Sequence, residues 1–379
     1  MIIWAAKTTF PSKDTLAYRL IELTAICGEL PADILPRLNS STSYLENVMR
    51  TLKSDNLIRL YSADKVKGYR LSKKAKDFLL QENPARFELY LSGNAETNQL
   101  KSELVRRLRL HRLAEMYVLM MDAGIPIYRD LKPDVFSPDG CRVSTISKPA
   151  FYTSREIKQM GMDTIKISGS RITGSLLTAD GVYLTYNGGH GLAKMDYRAE
   201  QRAKALLTRI LCYDRLTGQY KPEQVAGLMI GKGLNLFSEI LAATDSYARF
   251  FFLHDGSYEH FYYLTNDHYG QVLLKLLSNK SKNTSLNRIL AQDLCAADPG
   301  LSIVNDAIDP NGDPVLFGYL MDIPRINRFC NGLSLHRKKG TLICFDFQSE
   351  VLQDICGNCV RIQAIRFDKF EGSFFNRKK

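Results

Sequence analysis

Ser41-Thr-Ser-Tyr-Leu-Glu-Asn-Val-Met-Arg-Thr-Leu-Lys53, followed by Leu57-Ile-Arg-Leu-Tyr-Ser-Ala-Asp-Lys-Val-Lys-Gly-Tyr-Arg-Leu71, is the stretch that decides how this chain begins to fold. In the first segment Leu45, Val48, Met49 and Leu52 recur at helical spacing, while Tyr44, Asn47, Arg50 and Thr51 fall on the opposite side. That is a helix with an apolar back and a hydrogen-bonding front. In the second, Ile58 and Leu60 alternate with Arg59 and Tyr61. Val66 to Leu71 pairs back after a polar tip, Ser62 to Lys65. Alternation on both sides of a polar tip predicts a β-hairpin.

Working outward, Asp14 caps a predicted helix whose apolar residues are Leu16, Leu20, Leu23 and Ile26, and Gly28 ends it. Pro31 opens a short helix over Ala32 to Leu38, since proline in a first helical turn forfeits only an unpaired N–H. Asn39-Ser40-Ser41 supplies a turn and a cap. Ser72 caps a last short helix, Lys73 to Leu80. Three helices, a hairpin and a helix within eighty residues is the plan of a winged helix-turn-helix, predicted for residues 1–82.

Charge gives this module a direction. Between Ser41 and Lys76 stand nine basic residues, Arg50, Lys53, Arg59, Lys65, Lys67, Arg70, Lys73, Lys74 and Lys76, opposed only by Glu46, Asp55 and Asp64. In a helix-turn-helix the second helix enters the major groove with its N-terminal half. Here that half offers Ser41, Thr42, Ser43, Tyr44 and Asn47, whose hydroxyls and amide suit phosphates and base edges. Arg50, Lys53, Lys65, Lys67, Arg70, Lys73 and Lys74 complete the expected DNA-binding set, with double-stranded DNA as partner. The competing reading is a module for protein contacts whose lysines are a solvated face.

Beyond it, Asn83-Pro84 and Ser92-Gly93-Asn94 punctuate a link, and a basic helix is predicted from about Ala95 to Asp122, making 83–125 a connector. Such a helix also suits a homodimer. Residues 126–379 alternate apolar runs with helical patterns and read as an α/β region, with a split expected near 215–225. Strands are predicted over Ile165–Leu177, Val182–Tyr186, Ala226–Ile230, Phe250–Leu253, His260–Leu264, Thr341–Phe345 and Val360–Phe367. Helices are predicted over Tyr197–Tyr213, Leu234–Ala243, Tyr269–Leu277 and Ser349–Ile355, with Ser278–Ser285 as a polar loop. The fold class is therefore α+β or α/β: a winged helix-turn-helix joined by a long helix to a mixed sheet.

The 379 residues are 45% hydrophobic and 24% charged, which excludes a disordered chain, and no run of about 18 apolar residues predicts a membrane span. A net charge of +11 favours an anionic partner. The eight cysteines lie in apolar contexts with no secretory signal ahead of them, so reduced thiols and a cytoplasmic location are expected. Cys356-Gly-Asn-Cys359 is the one CxxC. A structural zinc usually needs two such pairs, so a turn with two thiols is the better reading.

The sharpest catalytic candidates are Asp134 with Glu156 and Lys158. Two carboxylates holding Mg²⁺, with a lysine beside them, is the logic of the PD-(D/E)xK nucleases. Against it, Thr153 and Glu156 are spaced as a capping box. Asp180, Glu200 and Lys204 are a second candidate set, but Glu200 and Lys204 stand four apart on a helix and read as a plain stabilising pair. Gly231-Lys232-Gly233 lacks the Walker A spacing, and Gly188-Gly189-His190-Gly191 is a flexible turn. His254-Asp255 and Asp267-His268 lack paired histidines for a metal, and Asp346 reads as a strand-end or loop-capping carboxylate. No cofactor is expected, save Mg²⁺ in the nuclease alternative.

Gly68-Tyr69-Arg70-Leu71-Ser72-Lys73-Lys74-Ala75 resembles the wing strand and closing segment of bacterial winged-helix regulators. Together with the basic Lys101–Arg112 segment and Lys132-Pro133-Asp134, it resembles the winged-helix proteins of bacterial mobile and conjugative elements, of the replication-relaxation type. The resemblance covers about the first 140 residues. Phe151–Lys158 and Ser170-Arg171-Ile-Thr-Gly174 also resemble segments of conjugative-element proteins. It implies DNA binding in the replication, transfer or regulation of such an element. Catalysis does not carry over, because no strand-borne acidic pair follows Pro133-Asp134. A protein-interaction scaffold is the third reading.

Overall fold

The computed structural model describes residues 10–38, 40–138, 145–161, 169–189, 195–242 and 257–375. The chain divides into two compact units, Met1–Met121 with Ile127–Lys132, and Asp122–Pro126 with Pro133–Lys379. Both mix helices and sheets, so the molecule is α+β.

The first unit begins with helix α1 (Leu16–Cys27). Its cap is Thr15 rather than Asp14: the Thr15 hydroxyl accepts the Tyr18 N–H at 3.2 Å. Gly28 ends it at φ 80, its N–H on the Thr24 carbonyl. Strand β1 (Leu30–Pro31) leads to the predicted short helix, a 3-10 helix over Ala32–Arg37, where Pro36 cannot donate to an α-helical ladder. Helix α2 (Thr42–Ser54) starts on a Ser41 cap and buries Leu45, Met49 and Leu52. Strands β2 (Ile58–Ala63) and β3 (Val66–Leu71) form the hairpin, and β1 pairs with β3 to give the order β1-β3-β2. The two-residue tip, Asp64 and Lys65, has φ 53 and 61. Two left-handed residues give the turn whose twist matches the strands it joins. Helix α3 (Lys73–Glu82) follows its Ser72 cap.

The predicted link at 83–94 contains a helix, α4 (Pro84–Leu91), capped by Asn83 with Pro84 in its first turn. Helix α5 begins later than expected and runs Leu104–Asp122.

The second unit holds two five-stranded sheets of one plan. In the first, β4 (Ala150–Thr153), β5 (Ile172–Leu177) and β6 (Val182–Gly189) run antiparallel. Then β7 (Val225–Gly231) and β8 (Phe261–Thr265) add on in parallel. In the second, β9 (Cys295–Ala296), β10 (Ala307–Ile308) and β11 (Pro314–Phe317) run antiparallel, with β12 (Gly340–Phe345) and β13 (Val360–Ile365) parallel beyond them.

In sequence order, α6 (Ser154–Ile157) follows β4. Then α7 (Tyr197–Thr208) joins β6 to β7, and α8 (Leu234–Ala242) joins β7 to β8. After β8 come α9 (His268–Leu277) and α10 (Lys280–Leu290). In the second sheet α11 (Ile323–His336) and α12 (Ser349–Cys356) make the corresponding crossovers, and α13 (Phe367–Phe375) closes the chain. Residues from both sheets and their crossover helices share one apolar core. Every residue of β7 is buried, as expected of a parallel strand covered on both faces.

The Ser278–Ser285 loop is corrected to α10: Asn279 caps it, and Leu286 is its one fully buried residue, so a polar composition concealed the helix. Helix α11 was not predicted. The closing strand stops at Ile365, and Phe367 begins a helix. Residues 165–168 of one predicted strand and the predicted strand Phe250–Leu253 lie outside the described residues. Among the described residues no helix is long and apolar enough to cross a membrane.

Candidate nucleic-acid interface

The front of α2 is open. Ser41, Thr42, Ser43, Tyr44, Asn47, Arg50, Thr51 and Lys53 are all exposed, Tyr44 by 51% of its surface. The Arg50 guanidinium donates to the Asn47 side-chain carbonyl at 3.2 Å, which lines up two of the groups suited to base edges.

The hairpin adds to this face by parity. Side chains alternate across a strand, so Lys67 shares a face with Tyr69. The Lys53 ammonium of α2 lies over the Tyr69 ring, 5.3 Å from its centre, which makes this the α2 side. Lys65 at the tip and Lys67 are exposed there. Arg70 belongs to the other face. Its side chain is 5% exposed and paired to Glu29 at 2.6 Å, so it is not a surface contact. Counting basic residues along the hairpin missed this, because parity sends neighbours to opposite sides. Lys73 and Lys74 are exposed on the first turn of α3, Lys74 over the Phe10 ring. Arg59 on β2 is exposed, but the register pairs it with Arg70, so parity places it on the face away from Lys67.

Behind the hairpin lies a buried charge cluster that pattern reading did not find. Glu29, fully buried, accepts from Arg70 Nε at 2.7 Å and from Arg107 Nη2 at 2.7 Å, and His111 Nε2 lies 2.8 Å from it. Burial alone would raise the Glu29 pKa; the hydrogen bonds from His111, Arg107 and Arg70 outweigh it and hold the carboxyl down to about 2. Arg107, on α5, also donates to the Ala63 carbonyl at 2.8 Å and the Val66 carbonyl at 2.9 Å, the two residues flanking the tip. The Tyr61 ring lies against both guanidiniums, 3.7 Å from Arg70 and 4.7 Å from Arg107. Gly68 is needed here, because a Cβ would come within 2.5 Å of the Glu29 side chain. The cluster therefore clamps the hairpin to α5. Its sequence signal was Arg107, one of several basic residues in a helix read only for its overall charge.

The first unit carries 21 Lys and Arg against 14 Asp and Glu, so most of the +11 surplus sits in the smaller unit.

The predicted metal pair fares differently. Glu156 and Lys158 stand on α6 and the 3-10 turn after it, not on a strand. Glu156 closes the capping box, accepting the Thr153 N–H at 2.8 Å. The Tyr152 hydroxyl donates to the carbonyl of Pro133, the residue before Asp134. Among the described residues no cluster of three or more His, Cys, Asp or Glu could hold a metal. Asp346 accepts from the Phe347 and Phe367 N–H groups, as a loop cap does, and Asp267 caps α9. His190, His254 and Asp255 lie outside the described residues.

The Glu200–Lys204 pair is corrected. Glu200 is fully buried and accepts the Arg171 N–H, while the Lys204 ammonium turns to the Ser257 carbonyl. Burial pushes the Glu200 pKa up to about 7, against the lowering effect of Arg171 and Tyr186. With its folded value above the ordinary carboxyl range, its contribution is fully present at low pH and is lost as pH rises through about 7. Glu200→Gln should therefore match the native chain at about pH 4 and exceed it at pH 9, by up to roughly 3 kcal/mol. Thermal melts across that range check this.

No family model, curated protein or solved structure matches the chain.

Proposed function

We propose that this chain binds duplex DNA through a winged helix-turn-helix built from α1, α2 and the β2–β3 hairpin, with α2 in the major groove and the hairpin as the wing. The observation that carries the reading is the exposed hydroxyl, amide and basic front of α2 beside Lys65 and Lys67. By the resemblance of its first 140 residues, the protein serves the replication, transfer or regulation of a mobile element. The second unit then docks a partner or a second copy. Fluorescence anisotropy with a labelled duplex, titrated from 50 to about 300 mM salt, tests this. The reading expects a steep linear fall of log affinity with log salt. No binding at low salt would instead favour a protein-interaction scaffold. The nuclease alternative has its own assay: Mg²⁺-dependent cleavage that Asp134→Ala abolishes.

A further inference from the structure

The sheets of the second unit differ in how their outer strands end. On the first sheet, β4 is buried along its whole length, and the Phe151 N–H bonds to the Pro126 carbonyl. At the other edge β8 is covered by the segment after β11. The Tyr263 N–H donates to the Met321 carbonyl and the Phe261 N–H to the Asp322 carboxylate. On the second sheet, β9 is only two residues long. β13 is the exception. It is an outer strand of six residues, free of proline and in unbroken register along β12. Arg361, Gln363 and Ala364 on it are exposed. Apart from the pairing with β12, residues Arg361 to Ile365 make no hydrogen bond among the described residues. Shortness, proline, a bulge or a cover ordinarily closes such an edge, and β13 has none of them.

We propose that β13 is a docking edge, to which an extended acidic segment of a partner protein adds as a further strand. An open edge offers its N–H and C=O groups to any extended chain, so the backbone supplies affinity and the side chains choose the partner. Side chains alternate across a strand. Val360 and Ile362 pack into the core that holds Leu352 and Cys356 of α12, so Arg361 and Gln363 fall on the face away from that helix. The exposed carboxylates of α12, Glu350 and Asp354, belong to the helix side. From Gly357 to Phe370 the chain carries Arg361, Arg366 and Lys369, all exposed, against Asp368 alone. Lys338 and Lys339, also exposed, lead into β12 beside it. A strand with carboxylates at alternate positions matches this charge. A second copy does not, because antiparallel pairing of two β13 strands would set Arg361 and Arg366 of one against those of the other. This gives the docking role of the second unit a surface, and it stands whether or not α2 meets DNA.

The test uses the full chain and three blocked peptides: one of alternating Glu and Val, its Lys-for-Glu counterpart, and the acidic peptide N-methylated at every residue. Fluorescence anisotropy should show the acidic peptide binding about tenfold or more tighter than the basic one. N-methylation should abolish binding although the charge is kept, which separates strand addition from simple charge attraction. Hydrogen exchange with the acidic peptide at saturation should protect residues 360–365 and leave the hairpin at 58–71 unchanged. Arg361→Glu, at an exposed position where folding is little affected, should reverse the preference between the two charged peptides. Failure of the acidic peptide to bind, equal binding of both charged peptides, or protection away from β13 would overturn the proposal. So would outward β13 amides that are already protected in the free chain. Protection that grows with protein concentration would assign the edge to a second copy, and protection independent of it to another segment of the same chain.

Discussion

Glu29→Ala is expected to destabilise the N-terminal unit by about 3–5 kcal/mol, the largest loss of any single substitution on its surface or in its core of charges. An exposed ion pair would contribute less than about 1 kcal/mol. Here the carboxylate is fully buried, and Arg70 and Arg107 are 5% and 0% exposed, so its removal strands two guanidiniums in a dry site. The hairpin should loosen with it, because Arg107 holds the carbonyls on either side of the tip. Hydrogen exchange on the full chain should show residues 58–71 losing protection ahead of the second unit. Glu29→Gln keeps the shape and the acceptor but not the charge, and should fall between. Replacing Glu29, Arg70 and Arg107 together by apolar residues of similar volume should cost less than Glu29→Ala alone, since no charge is then left unpaired.

The cluster also sets an acid limit. The folded Glu29 value, about 2, lies below the ordinary 4.5, so its contribution is complete above about pH 4.5 and disappears as pH falls toward 2. Circular dichroism across that window should show the native chain losing helix, while the apolar triple variant is less sensitive there.

These residues also show where the chain's pattern can be read and where it cannot. The helices and the hairpin around Leu45–Leu71 were legible because their burial repeats with the local period, and a short window contains the whole signal. The strands predicted to end at Leu177 and begin at Val182 were legible as apolar runs separated by a short gap, and they pair as neighbours. Glu29, Arg70 and Arg107 were not, because their partners stand 41 and 78 residues away, and a single buried charge has no period. α10 was hidden by polarity, since it buries little. The doubled plan of the second unit was invisible for a further reason: its equivalent strands differ in length from two to eight residues, so no repeat shows in the sequence. The direction in which a basic side chain points, which separates Lys67 from Arg70, required the register of the hairpin.

That separation gives the functional prediction its form. Arg50→Ala, Lys65→Ala and Lys67→Ala combined should weaken duplex binding roughly a hundredfold near 100 mM salt and flatten the salt slope by about 2–3, one displaced counterion per lost phosphate contact. All three side chains are exposed, so the melting temperature should stay within about 2 °C of the native chain. Arg70→Ala, by contrast, should lower stability first and binding only as a consequence. Lys65 and Lys67 single variants should reduce the slope by about 1 each on any sequence. Asn47→Ala should leave the slope unchanged and cost about 1–3 kcal/mol on a preferred site alone, because an amide reads bases rather than neutralising phosphates. If the triple variant binds as tightly and as salt-dependently as the native chain, α2 and the hairpin are not the docking surface. A slope change with Arg70→Ala at full stability would mean that the hairpin turns its other face to DNA.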